Sequence, residues 1–134
     1  MLICAGTSAF VGDFSLDKVI KNDNTWPIQW VIEFYSENVE RDTFGFPAGI
    51  LAHFIHILEI IRDIGPNLGM PYTRPMGDGL FEIRSKGKEG IGRSLFCTIK
   101  GRKIIILHSF IKKSAKTPKR ELKIAMKRMK EVKS

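Results

Sequence analysis

A chain of 134 residues with 43% apolar and 27% charged side chains has the make-up of one soluble globular domain, which excludes a wholly disordered chain and leaves no room for a second core. Lys and Arg number 22 against 14 Asp and Glu, a net charge of +8 that points to a polyanionic partner, nucleic acid before anionic lipid. Met1 to Ile83 carries 5 basic and 11 acidic residues whereas Arg84 to Ser134 carries 17 and 3, so an anion-binding surface must come mostly from the C-terminal part.

Residues 1–29 mix short apolar stretches with Asp, Asn, Gly, Thr and Ser, and Asn22-Asp23-Asn24 before Pro27 marks a turn or linker. This segment is expected to be an N-terminal extension ahead of one domain over residues 30–134, and the pattern leaves open whether it adds a strand or short helix around Leu16 to Ile20 or is partly disordered. It lacks the basic start of a secretory signal. The longest apolar run, Ile50 to Ile61, is broken by His53, His56 and Glu59 and falls short of the roughly 20 residues that span a bilayer. No membrane contact and a cytoplasmic location are therefore expected. Cys4 and Cys97 lack the paired spacing of a zinc or redox motif and are expected to be reduced structural thiols.

Trp30 to Tyr35 alternates as a strand does. From Pro47 to Asp63 the apolar residues Ile50, Leu51, Phe54, Ile55, Leu58 and Ile61 recur at three and four, which predicts the main core helix, ended by Gly65-Pro66. Asn67 to Gly79, with Pro71, Pro75 and three glycines, is predicted to be a long loop. Three strands follow, Leu80–Lys86, Ile91–Lys100 and Lys103–Lys112, with turns at Gly87–Gly90 and Gly101-Arg102, which predicts an antiparallel meander. Thr117-Pro118 opens a last helix with Leu122, Ala125, Met126, Met129 and Val132 on one face and mostly Lys and Arg on the other.

The turns set a register. A four-residue first loop places Lys86 opposite Ile91 and Arg84 opposite Arg93. A two-residue second loop places Lys100 opposite Lys103, Arg93 opposite Phe110 and Leu95 opposite His108. Arg84, Arg93 and Phe110 then form one row on one face, with Lys86 and Lys112 one step further toward the same edge. Like charges directly opposite each other destabilise a sheet, so such a row makes most sense around an anion, and a phosphodiester suits the two-pronged guanidinium group. Two other readings compete: the arginines are solvated, or they pair with Glu82. A register slip of one residue would send one arginine to the other face.

His53, His56 and Glu59 have helical spacing but no fourth partner, so no metal site is assigned. His108 reads as a buried, hydrogen-bonded histidine, and it is also the one histidine close enough to the cationic row to test for catalysis. Lys112 and Lys113 with Lys116, Lys119 and Arg120 read either as a solvated basic surface or, so close to the arginines, as part of the anion site.

The runs Leu68-Gly69-Met70-Pro71, Gly79-Leu80-Phe81-Glu82-Ile83-Arg84, Gly90-Ile91-Gly92-Arg93, Leu107-His108-Ser109-Phe110-Ile111-Lys112-Lys113 and Lys116-Thr117-Pro118 strongly resemble, in order and spacing, the RelE/HigB superfamily of type II toxins, in particular its phage-derived HigB-like branch. The similarity runs from about Trp30 to Val132. It implies an α+β fold: a small, mainly antiparallel sheet with N-terminal helices packed on it and a basic C-terminal helix. It further implies a ribosome-dependent mRNA endoribonuclease, silenced by a cognate helix-turn-helix antitoxin, that needs no cofactor or metal. The ribose 2′-hydroxyl would attack the adjacent phosphate and leave a cyclic phosphate and a 5′-hydroxyl. On this resemblance Arg84 and Arg93 hold and stabilise the phosphate. Lys112 or Lys113 binds the backbone or donates a proton, Phe110 stacks on a base, and Lys86, Lys113, Lys116, Lys119 and Arg120 contact RNA.

One departure stands out. Some relatives carry Tyr or His near the position of Phe110 to move protons, and Phe110 cannot. His108, Lys86, Lys112 or ribosomal RNA would have to take that role. The competing readings are a catalytically inactive RNA- or ribosome-binding module of the same fold and a DNA-associated protein using its basic helix. Removing Arg84 or Arg93 is expected to leave the fold intact, since each removal relieves a like-charge contact.

Overall fold

A computed structural model of the chain describes residues 29–112 and 118–134. The expected extension over 1–29 lies almost wholly outside the described residues, as do Cys4, Lys113, Lys116 and Thr117. The elements in chain order are β1 (Val31–Phe34), α1 (Glu37–Phe44), α2 (Ala48–Ile64), β2 (Thr73–Gly77), β3 (Leu80–Gly87), β4 (Gly90–Ile99), β5 (Lys103–Lys112) and α3 (Lys119–Lys133). The five strands form one sheet in the order β1-β5-β4-β3-β2, antiparallel except that β1 runs parallel to β5. This is the α+β architecture that the resemblance implied, a fold of RelE type. No single helix among the described residues is long and apolar enough to cross a membrane.

Burial on both faces of the sheet explains the layers. On one face α2 buries Ile50, Phe54, Ile57 and Ile61 completely against Ile83, Phe96, Ile104 and Ile106, and α1 adds Val39. On the other, α3 packs Ala125 and Met129 against Leu80, Leu95, Cys97, Ile105 and Leu107. Each fully buried aliphatic or aromatic side chain contributes about 1.5–3 kcal/mol of transfer free energy. The inner face of α1 is also stitched by hydroxyls: Thr43 Oγ1 donates to Val39 O and lies 2.7 Å from Ser109 Oγ, which lies 2.9 Å from Ser94 Oγ. These bonds satisfy three buried polar groups that would otherwise cost stability.

Two elements depart from the sequence reading. α1 went unassigned because its buried positions, Val39 and Thr43, give too sparse an apolar pattern. Its start is nonetheless written locally: Ser36 caps it, accepting from the Val39 N–H at 3.2 Å, and Glu37 and Glu40 occupy the first turn, where the helix dipole favours acids. The predicted long loop is interrupted by a strand, β2, from Thr73 to Gly77. Pro75 is tolerated because β2 is the sheet's edge, where one side of the strand needs no ladder bonds.

The N-terminus of α2 lies close against the β3–β4 hairpin. A Cβ on Gly87 would stand 2.5 Å from the Ile50 backbone nitrogen, so only glycine permits this approach. Pro47 offers no capping side chain, and Glu89 of the hairpin turn supplies one, its Oε2 accepting from the Gly49 N–H at 3.1 Å. The Gly49 N–H, with further backbone donors, holds the Glu89 carboxyl below its ordinary 4.5. Because the folded value is depressed, the cap is complete above pH 4.5 and is lost as pH falls through the depressed value. Glu89→Ala should therefore lower the hydrogen-exchange protection of the Gly49 amide near pH 7 and leave the Ile57 amide unchanged. Equal protection in variant and parent would mean that Glu89 does not cap α2.

The meander of β3, β4 and β5 forms as predicted, with one detail that sequence could not supply. Ile99, not Lys100, faces Lys103, so the second turn is one residue longer than expected. Gly101 and Arg102 bend it with φ of 85° and 59°. Further along, Leu95 faces His108 while Phe96 faces Ile106, so Leu107 is an extra residue on β5. The longer turn and the bulge cancel, and beyond them the predicted pairs Arg93 with Phe110 and Leu95 with His108 both hold. The bulge also shifts the side-chain phase of β5. Before it, Ile105 and Leu107 meet the α3 face; after it, His108 and Phe110 turn to that face. Arg128 Nη1 of α3 donates to the Leu107 carbonyl at 2.7 Å and so secures the bulge.

Candidate active site

Three neighbouring rows cross the α3 side of the sheet. The first holds Arg74, Glu82, Leu95 and His108; the second Arg84, Arg93 and Phe110; the third Lys86, Ile91 and Lys112. Directly opposed residues share a face, so the predicted row of Arg84, Arg93 and Phe110 is present in the fold, with Lys86 and Lys112 one step outward. Arg74, from the strand that the sequence did not reveal, joins them.

The arginines sit in different surroundings. Arg93 is only 2% exposed and its Nη1 meets Glu82 Oε1 at 2.6 Å, while Glu82 itself is fully buried. Arg74 Nη2 reaches the same oxygen at 3.1 Å. The pairing with Glu82 that competed with the anion site thus accounts for Arg93. Arg84 differs, having no ion pair among the described residues, and its Nε, like those of Arg74 and Arg93, is buried without a hydrogen-bond partner.

The electrostatics follow from this crowding. Burial, and then the charge of Arg93, lowers the Arg84 guanidinium below its ordinary value, with Glu82 working the other way. Burial first and Arg93 next also lower the Lys112 ammonium, again against Glu82, with Arg74 and Arg84 adding to the effect. Four cations thus share one buried carboxylate. Such a cluster resists its own charge and gains from an anion that spreads across it. Phe110, partly buried and directly opposite Arg93, places an aromatic ring beside the guanidinium groups.

His108 lies in the first row. Its Nε2 pairs with Glu121 on α3, and its ring stacks on Phe110 with centroids 5.6 Å apart. The bland reading of His108 as a hydrogen-bonded, mostly buried histidine is what the geometry shows, although it remains within the same cluster. Lys86 is exposed, and its backbone N–H donates to His53 Nδ1 at 2.8 Å. His53 is therefore the neutral acceptor at that nitrogen, in keeping with a pKa lowered by burial, then by His56 and Lys86. Among the described residues no three His, Cys, Asp or Glu side chains gather as metal ligands do. Lys119 and Arg120 occupy the first turn of α3, Arg120 with 83% of its side chain exposed and 3.8 Å from Glu121. Lys113 and Lys116 cannot be placed, being outside the described residues.

Two contributors were missed. Arg74 carried no signal, since Thr73-Arg74-Pro75 reads as loop. Glu121 follows two basic residues and reads as a helix-start acid, and only the packing of α3 brings it to His108.

The profile of a family described as phage-derived Gp49-like protein (DUF891) matches residues 41–130 of the 134, a span that holds α2, the whole antiparallel meander and most of α3. No curated protein matches the chain. The arginine cluster lies inside the matched span, and over that length the chain belongs to the phage-derived Gp49-like family, part of the RelE/HigB-like clan of toxin-type proteins.

Proposed function

We propose that this protein is the toxin of a type II toxin–antitoxin pair, of the HigB-like branch, and that it cleaves mRNA on the ribosome. The observation that carries the reading is the cluster of Arg74, Arg84, Arg93 and Lys112 around the single carboxylate of Glu82, bordered by Phe110. In the reaction the ribose 2′-oxygen bonds to phosphorus, the bond from phosphorus to the 5′-oxygen breaks, the 2′-hydroxyl proton leaves and the 5′-oxygen gains one. Arg84 and Arg93 stabilise the added negative charge on phosphorus, where preorganised donors have their largest effect. Lys112, whose ammonium is made more acidic by burial and its arginine neighbours, supplies the proton to the 5′-oxygen. Phe110 stacks on a base and holds the scissile linkage in line. His108, oriented by Glu121, is the candidate to take the 2′-hydroxyl proton. Lys86, Lys119 and Arg120 add screened attraction to RNA.

Induced expression without an antitoxin should stop growth and translation, with mRNA cut at positions covered by ribosomes. Purified protein should cut free RNA poorly, and EDTA should change neither rate. Normal growth at high soluble expression, or fast cleavage of naked RNA that needs a divalent ion, would overturn the proposal. A second reading, an inactive RNA- or ribosome-binding module, draws on one observation: the aromatic position is Phe110, and the nearest histidine already holds a carboxylate. Ribosome binding without cleavage would select it.

A further inference from the structure

Beyond Lys119 and Arg120 in its first turn, the outer face of α3 is not used by the site above. Its charges are largely segregated: Glu121 turns to His108 and Glu131 to the Tyr35 hydroxyl, Lys133 reaches the sheet near Gly79, and Lys119, Lys123, Lys127 and Lys130 are exposed. Lys119, Lys123, Lys127 and Lys130 with Leu122 and Met126 line a groove of ≈ 500 Å³. Among the described residues none of these four lysines has an ion pair. Lys119, Lys123 and Lys127 recur every four residues, a spacing at which like charges repel along a helix. Leu122 and Met126, half-buried and one turn apart, form a carbon floor beside that row.

We propose that this groove docks an acidic amphipathic helix of a partner protein. The rim calls for carboxylates and the floor for apolar side chains one turn apart, the pattern an amphipathic helix presents to a groove. From Lys119 to Lys130 the groove is about 16 Å long, three turns of partner helix. A nucleic-acid backbone would match the rim alone. A bilayer surface takes up a broad apolar face, whereas Leu122 and Met126 offer only two half-buried apolar side chains beside a row of lysines. The proposal does not rest on RNA cleavage. It does share Lys119 with the RNA-binding residues proposed above, so a filled groove and a bound ribosome compete for that cation.

The test uses the full chain and a labelled synthetic helix of about three turns with Leu at positions i and i+4 flanked by Glu, read by fluorescence anisotropy. Binding is expected at micromolar concentrations, weakening as salt rises. It should fall at least tenfold for polyglutamate of equal charge, for the same helix with Lys in place of Glu, and for the K123E/K127E variant. These two side chains are exposed, and an unchanged circular dichroism spectrum shows that the variant is folded. Met126→Ser should weaken the helix more than it weakens polyglutamate. Polyglutamate binding as well as the helix would overturn the proposal, because the floor then plays no part. So would displacement of the helix by an equal charge of single-stranded RNA or of anionic vesicles. Self-association of the chain that K123E/K127E abolishes would overturn it too, by assigning the groove to a second copy.

Discussion

Glu82→Ala is expected to lower the melting temperature by roughly 10–15 °C, the equivalent of about 3–5 kcal/mol for breaking a buried ion pair from one side. Glu82 is fully buried between Arg93 at 2.6 Å and Arg74 at 3.1 Å. Its removal leaves Arg93, itself only 2% exposed, without a countercharge in a place water does not reach. The same carboxylate offsets the repulsion felt by Arg84 and Lys112, so its loss is transmitted to the whole cluster. Glu82→Gln keeps the shape and one acceptor oxygen and should fall between the parent and the alanine variant. Sulfate should restore part of the lost stability in both, because an anion among the arginines takes over the missing charge. A melting temperature within about 2 °C of the parent for Glu82→Ala, measured by circular dichroism, would mean that the buried pair is not what holds the cluster.

That carboxylate also shows where sequence reading reaches its limit. The Arg84–Arg93–Phe110 row was legible because Gly87 to Gly90 fixes one hairpin and because two one-residue differences, at the Gly101 turn and at Leu107, cancel. Periodicity cannot show a bulge: the apolar run Ile104 to Leu107 is equally consistent with either phase, and only packing against α3 on one side and α2 on the other selects it. The core helix was legible from its three-and-four spacing. Ile57 was left out of that pattern, yet it is fully buried, because α2 turns a wide stripe inward. β2 was hidden by Pro75 and its flanking glycines, residues that mark loops and that an edge strand also accepts. With β2 hidden, Arg74 was hidden too, and the surroundings of Glu82 were one cation short.

Burial corrects a further expectation. The two arginines of the row look equivalent in sequence, and removing either was expected to leave the fold intact. The like-charge argument behind that expectation applies to Arg84, which has no ion pair among the described residues, and not to Arg93. Arg93 is the buried partner of Glu82, so Arg93→Ala should lose stability as well as activity, and its kinetic effect cannot be read by itself.

Arg84→Ala is therefore the clean experiment, and it should lower ribosome-dependent cleavage by about a hundredfold, the order seen when one preorganised stabiliser of a transition state is removed. Arg84 has no ion pair among the described residues, and its own charge is disfavoured by burial and by Arg93. Its loss should leave the melting temperature unchanged or slightly raised, and it should shrink the stabilisation that sulfate gives the parent. Arg120→Ala is the comparator, with 83% of that side chain exposed on the first turn of α3. It should weaken ribosome association by a small factor that shrinks as salt rises, because contacts in bulk solvent are screened. The effects then differ in kind, one on the rate of the chemical step and one on association. Full cleavage by a folded Arg84→Ala protein, together with its loss on Arg120→Ala, would move the functional surface from the sheet rows to the basic helix.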